Sequence, residues 1–300
     1  MTLRPAWPFF HMTYQTLISA TDLAQALHGP EAARPLVLDC SFELADLSAG
    51  RRAHDAGHIP GARYVHLEDQ LSAPRTGRNG RHPLPSREDF ARTLAALGAG
   101  DDTQIVIYDN AGGMYAARLW WMLRWAGHAA AAVLDGGLPA WKAAGQPVST
   151  DETPAAPAAG RFSLRPALVT TASYGEVRAN LDTGARLVLD ARAPDRFRGE
   201  NETLDPIGGH IPGARNRLFR DNLDADGRFK SPAQLLGEFQ ALTGGRPPAE
   251  LISQCGSGVT ACHNLLALEI AGLRGAVLYP GSWSEWSAQP GAPIATGPQA

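Results

Sequence analysis

Apolar positions along this chain follow two alternating rhythms: short unbroken runs and longer stretches at helical spacing. Leu36 to Leu38 and Ile105 to Tyr108 are unbroken runs, as expected of strands buried on both faces. Leu187-Val-Leu-Asp190 and Leu251-Ile-Ser-Gln254 have the same character in the second half. Ala20 to Leu27 opens on a Thr-Asp start signal and then places apolar residues at helical spacing. Ser86 to Leu97 is a second capped amphipathic stretch, and Tyr115 to Trp125 is a helix following a strand. This alternation predicts an α/β fold built from mainly parallel sheets flanked by helices. In such sheets ligands gather beyond the carboxyl ends of the strands.

The pattern occurs twice. Leu36-Val-Leu-Asp39 returns as Leu187-Val-Leu-Asp190, and Gly57-His-Ile-Pro-Gly-Ala62 returns letter for letter as Gly209 to Ala214. Ile105 to Asp109 corresponds to Leu251 to Cys255, and Val133 to Gly137 corresponds to Val277 to Gly281. Four matches in one order, offset by about 150 residues, make an internal duplication. Between the copies runs Ser149 to Gly160, a Pro/Ala stretch that cannot build a core and reads as an extended linker. The expected organisation is a first domain over residues 13–148, a linker over 149–160 and a second domain over 161–290. The pattern begins just past Met12, which is taken as a candidate true start. Met1 to Phe10 lacks the apolar run of a signal peptide.

Composition narrows the function without naming it. Three hundred residues are enough for two domains, each with its own core. A net charge of -3 offers no electrostatic case for nucleic acid or an anionic membrane as partner. The most apolar stretch, Leu119 to Leu134, is interrupted by Arg124 and His128 and does not suit a bilayer span. Three cysteines make no disulfide framework, and a reducing compartment, the cytoplasm, is the expected location.

Cys255 carries the chemistry. It ends a strand and opens the small-residue loop Gly256-Ser-Gly-Val-Thr260, from which a helix begins. Backbone N–H groups in such a loop converge on one point, and the helix N-terminus adds partial positive charge there. Such a place favours a sulfur anion, so Cys255 is a candidate nucleophile. Cys40 and Cys262 read as small buried hydrophobes. A phosphatase cradle needs an arginine six positions after its cysteine, where this chain has Ala261. No local histidine supplies the base of a cysteine peptidase. Backbone donors around the loop can instead hold an outer atom on the sulfur, as in a persulfide.

The two GHIPGA segments, the Cys255 loop and Gly281-Ser-Trp-Ser-Glu-Trp286 together resemble the tandem-domain rhodanese superfamily, and within it the 3-mercaptopyruvate sulfurtransferases. The resemblance runs from about Leu17 to Gln289. It implies two rhodanese-like domains, of which the second is active. The first is silent, because Asp109 occupies the cysteine position and cannot accept sulfane sulfur. It also implies a ping-pong sulfurtransferase that needs no cofactor and no metal. Its partners would be a small-molecule sulfur donor and, as acceptor, a thiol, a thioredoxin-like protein or cyanide. Thiosulfate-preferring members carry Arg and Lys after the cysteine. Gly256 and Ser257 stand there instead, as in mercaptopyruvate enzymes. Thiosulfate as preferred donor, or a persulfide carrier with little turnover, are the rival readings.

Residue roles follow from the same resemblance. Gly256, Gly258, Val259 and Thr260 would form the substrate-binding loop, with Ser257 as a proton donor. Arg196 maps onto the family arginine that binds substrate, and a guanidinium can take a carboxylate through two hydrogen bonds. The second arginine of vertebrate enzymes has no counterpart in Glu202 to Ile207. His58 and His210, present in both copies, read as ties for the tight Ile-Pro-Gly turn. Some mercaptopyruvate enzymes add a relay of the loop serine, a first-domain histidine and an aspartate, which here gives Ser257, His58 and Asp46 or Asp55. Trp283 and Trp286 would either wall the pocket or cover the domain core.

Overall fold

A computed structural model describes residues 13–152 and 160–298. In the first half the order is β1 (Leu17–Ile18), α1 (Ala20–Leu27), β2 (Leu36–Asp39), α2 (Ala49–Ala56), β3 (Arg63–Tyr64), α3 (Leu67–Gln70), α4 (Arg87–Ala96), β4 (Ile105–Tyr108), α5 (Ala116–Trp125), β5 (Ala131–Leu134) and α6 (Gly137–Ala143). In the second it is α7 (Tyr174–Thr183), β6 (Leu187–Asp190), α8 (Pro194–Arg198), β7 (Arg215–Asn216), α9 (Pro232–Thr243), β8 (Leu251–Gln254), α10 (Thr260–Ile270), β9 (Val277–Leu278) and α11 (Ser282–Trp286).

Two parallel sheets result, ordered β1-β5-β4-β2-β3 and β7-β6-β8-β9. The duplication is exact in register: Leu36 to Asp39 pairs with Ile105 to Tyr108, and Leu187 to Asp190 with Leu251 to Gln254. The second copy of β1 is reduced to one parallel bridge, Thr171 to Leu278. Helix starts follow their capping residues. Ser86 accepts the N–H of Asp89, while Ser173 and Ser231 form full capping boxes with Glu176 and Gln234. At α1 the cap is Ser19, one turn before Asp22, rather than the Thr-Asp pair itself.

Three apolar clusters hold the layers together. One covers a face of the first sheet through Leu23, Val106, Leu138 and Trp141, and one a face of the second through Val188, Phe197, Ile252 and Trp286. The third is continuous between the sheets and contains α5 and α10 together. The two halves therefore share a core, and the sheet ends that carry Asp109 and Cys255 face this seam. From the last residue of the expected linker onward, Gly160, Arg165 and Leu168 donate to Ala95, Ala126 and Arg124 of the first half at 2.8, 3.1 and 3.0 Å. Residues 153–159 of that linker and the Met12 start lie outside the described residues. Among the described residues no helix is long and apolar enough to cross a membrane.

Candidate active site

Cys255 ends β8 and its backbone is pinned from both sides. Its N–H donates to Ser282 Oγ at 3.1 Å, and its carbonyl accepts from Trp283 N–H at 2.9 Å. Gly258 N–H donates to Cys255 Sγ at 3.1 Å. That geometry needs glycine: Gly258 has φ +78°, and a Cβ there would stand 2.3 Å from the Pro280 carbonyl oxygen. Helix α10 starts at Thr260, so its free N-terminal amides lie beside the loop. The thiol is buried at the floor of a cavity of about 300 Å³ that opens on the seam. Arg81, His82, Arg196, Arg220 and Ser257 are among its lining residues.

The histidine that meets Ser257 is His82, with Nδ1 2.7 Å from Ser257 Oγ. Glu68 lies 3.6 Å from the other ring nitrogen, Nε2, which is buried without a hydrogen-bond partner among the described residues. Burial pushes the His82 pKa down to about 3, and the nearby Arg118, Arg81 and Arg75 act in the same direction. The ring is neutral at physiological pH.

His58 and Asp46, expected in this role, are elsewhere. The Nδ1 of His58 bonds the His54 carbonyl at 2.8 Å and its ring stacks on His54, which ties the turn as the repeat suggested. Asp46 pairs with Arg52 on the surface, and Asp55 sits in an exposed pair with Arg51. His210 bonds the Phe197 carbonyl at 2.8 Å and stacks on that ring. Trp283 and Trp286 are fully buried in the second core, with indole N–H groups on the carbonyls of Ile207 and Pro293.

His82 reaches the site because the two halves exchange loops across the seam. Residues 78–82 of the first half dock on the second: Arg81 N–H donates to Ser284 Oγ at 2.9 Å, and Gln289 donates to the Arg78 carbonyl at 3.0 Å. A Cβ on Gly80 would stand 2.7 Å from the Gly281 carbonyl oxygen, so only glycine allows that approach. In return, Phe229 N–H donates to Asp135 at 2.9 Å and its ring lies near Gly113. Arg118, fully buried in α5, donates to the carbonyls of Gly258 at 3.2 Å and His82 at 3.0 Å. It therefore joins the cysteine loop to the crossing loop.

The family model for the rhodanese-like domain matches residues 19–144 and 173–289. The chain belongs to the rhodanese-like family. It is 48% identical over 288 residues to a Pseudomonas aeruginosa protein named "Probable 3-mercaptopyruvate sulfurtransferase", covering 95% of this chain and 100% of that one. It is 35% identical over 283 residues to the thiosulfate sulfurtransferase of Mus musculus, covering 91% of this chain and 92% of the relative. Among solved structures it matches SseA of Escherichia coli, described among the 3-mercaptopyruvate sulfotransferases, with TM-score 0.76 and 29% identity. That match covers 89% of this chain and 98% of SseA.

The two rhodanese-like domains hold opposite contents in equivalent cradles. Asp109 is fully buried and fills the first cradle itself. Its carboxylate accepts from the N–H groups of Ala111 at 2.8 Å, Gly113 at 2.9 Å, Tyr115 at 2.7 Å and Ala116 at 2.9 Å. Burial raises the Asp109 pKa, and these four donors oppose that shift by favouring the anion. The second cradle has the smaller Cys255 and an open cavity above it. Cys262 is inert by comparison: its thiol lies against the Gly258 carbonyl at 3.3 Å, and burial pushes its pKa up to about 12. Cys40 is also buried, with its pKa well above the usual thiol value.

Arg196 lies over the loop from α8. It is engaged by Glu202 through Nε and Nη2, and by Asp205 at 3.3 Å. Sequence reasoning missed His82, Glu68, Arg81 and Arg118. The available signal was the run Thr76-Gly-Arg-Asn-Gly-Arg-His-Pro-Leu-Pro85, a glycine-rich, chemistry-bearing loop whose Asn79-Gly-Arg-His82 stands where the second half has Asp226-Gly-Arg-Phe229.

Proposed function

We propose that this sulfurtransferase takes sulfur from 3-mercaptopyruvate onto Cys255 and passes it to a thiol, a thioredoxin-like protein or cyanide. The observation that carries this reading is the Ser257–His82 pair beside Cys255, under guanidinium groups and with no cation on the loop itself. A carboxylate donor suits the arginines, and a donor that must gain a proton suits the hydroxyl pair.

In the first half-reaction the Cys255 thiolate attacks the donor's thiol sulfur and the sulfur–carbon bond breaks. The bonding electrons leave with the carbon, giving the enolate of pyruvate. The proton first held by the donor thiol ends on that carbon, so Cys255 keeps the outer sulfur as a persulfide anion and pyruvate departs. Ser257 can hand this proton across, with the neutral His82 ring orienting its hydroxyl. The Gly258 N–H and the start of α10 stabilise the anion on the sulfur. In the second half-reaction the acceptor attacks the outer sulfur and Cys255 leaves as thiolate. Asp109 has no sulfur to offer, so the first domain is silent in this chemistry. Three unpaired thiols fit a reducing compartment such as the cytoplasm.

Steady-state comparison of the two donors tests the assignment. Higher kcat/KM for 3-mercaptopyruvate is expected, with a 32 Da adduct on Cys255 after donor treatment and none on a Cys255→Ser variant. A clear advantage for thiosulfate sinks the donor assignment. An adduct that neither small thiols nor cyanide removes favours the carrier reading.

A further inference from the structure

We propose that Arg81, carried by the first domain, is a donor-binding residue: together with Arg196 it presents a pair of guanidinium edges above Gly256 that takes the carboxylate of the sulfur donor. The inference rests on the proposed carboxylate donor and adds a residue that the second domain lacks. The segment Glu202 to Ile207 contains no arginine to follow Arg196.

Two sets of contacts support it. The first is the position of the guanidinium groups over the loop. A Cβ built on Gly256, the residue after Cys255, would stand 3.0 Å from Arg81 Nη2 and 3.5 Å from Arg196 Nη2. Both arginines therefore lie within reach of the same small space beside the sulfur. A side chain at position 256 would compete with Arg81 for that space, so the glycine and the incoming arginine belong together.

The second is how their hydrogen bonds are spent. Arg81 Nη1 donates to Asp205 and to the Leu204 carbonyl. Arg196 spends Nε and Nη2 on Glu202 and Asp205. Asp205 thus bridges the two arginines, and its side chain is almost fully buried between them. Among the described residues neither Nη2 nor Nε of Arg81 meets a hydrogen-bond partner, and neither does Nη1 of Arg196. The acidic residues hold Nη1 of Arg81 and Nε and Nη2 of Arg196, and leave Nη2 of Arg81 and Nη1 of Arg196 unspent. Two unspent Nη donors, one from each arginine, match the two oxygens of a carboxylate. The main chain keeps Arg81 in place through its N–H bond to Ser284.

The test separates this role from the identity of the donor by using alkylating probes. Iodoacetate carries a carboxylate, and iodoacetamide is its neutral counterpart. Both alkylate Cys255, while Cys40 and Cys262 are buried with raised pKa values. In the full-length protein, Arg81→Gln is expected to lower the ratio of iodoacetate to iodoacetamide rates roughly 10-fold, the scale of one charge-assisted hydrogen bond. Arg81→Lys should keep most of the ratio. Arg81→Gln should also raise KM for 3-mercaptopyruvate with little change in kcat. An unchanged rate ratio overturns the role of Arg81, whichever donor the enzyme prefers. A lowered ratio in an enzyme that prefers thiosulfate upholds Arg81 as an anion-binding residue and overturns the donor assignment alone.

Discussion

Replacing His82 by asparagine tests the Ser257–His82 pair through stability and activity together. The His82 ring is 1% exposed, and its pKa is held at about 3 against 6.5 for the free side chain. Because the folded-state value is the lower one, the unfolded chain binds this proton first. The neutral ring costs the fold nothing extra above pH 6.5, and stability is lost as pH falls from there toward 3. Between pH 7.5 and 4.5 those two values give a loss of roughly 2–3 kcal/mol from this one ring. Urea denaturation of wild type and His82→Asn at both pH values isolates it, since other titrating groups cancel in the difference. Wild type should lose about 2–3 kcal/mol more than the variant over that interval. The same substitution removes the imidazole that meets the Ser257 hydroxyl, and turnover should fall at least about 100-fold, the lower range for a proton-transfer partner. With His82 neutral throughout, the acid limb of the kcat profile should not centre near pH 6.5. Parallel loss of stability in both proteins, or an acid limb near 6.5 that the variant abolishes, refutes the reasoning.

Arg118→Met removes a buried cation that has no carboxylate within salt-bridge distance among the described residues, while its carbonyl contacts run to Gly258 and His82. Desolvation already disfavours its charge, so denaturation should show a stability change within about 2 kcal/mol, while kcat/KM falls at least about 10-fold as both loops lose their tie. Unchanged kcat/KM in folded variant would show that Arg118 does not position the site. Asp109→Asn turns an amide NH₂ toward two of the four N–H donors in the first cradle, and should cost about 2–4 kcal/mol in urea denaturation. The folded fraction should keep near-normal turnover, and a large loss there would mean that the first cradle takes part in the chemistry.

The central strands were legible because strands buried on both faces leave unbroken apolar runs, and because the duplication repeats them with their turns. Cys255 was legible because a cysteine, a strand end and small residues lie together in sequence. His82 was not, since 175 residues separate it from Ser257 and only the packing of the two domains joins them. The relay reading of His58 came from the resemblance, whereas its occurrence in both copies pointed to the turn that both copies share, where the ring is held by the His54 carbonyl. Asp46 and Asp55, the two aspartates offered for that relay, instead pair locally with Arg52 and Arg51 on the surface. The buried tryptophans answer to the core, because Trp283 and Trp286 find carbonyl partners there and do not line the cavity.

The exchange of loops explains why a domain with Asp109 at the cysteine position contributes to the candidate site. Each domain sends a loop across the seam onto the other's cradle, but the two loops differ in kind. The second domain delivers Leu223 and Phe229, whose side chains pack by Gly112 and Gly113 next to a cradle already filled by Asp109. The first domain delivers Arg81 and His82 to a cradle that holds only a thiol. Apolar side chains over a self-satisfied carboxylate close one side of the seam. A polar loop over a small nucleophile leaves the other side open, with a cavity and unspent hydrogen-bond donors. Duplication supplied two similar cradles, and the division of labour lies in what each fills with and what the partner lays over it. The second domain owns Cys255, and the first owns His82, the buried Arg118 and the Arg81 guanidinium above the loop.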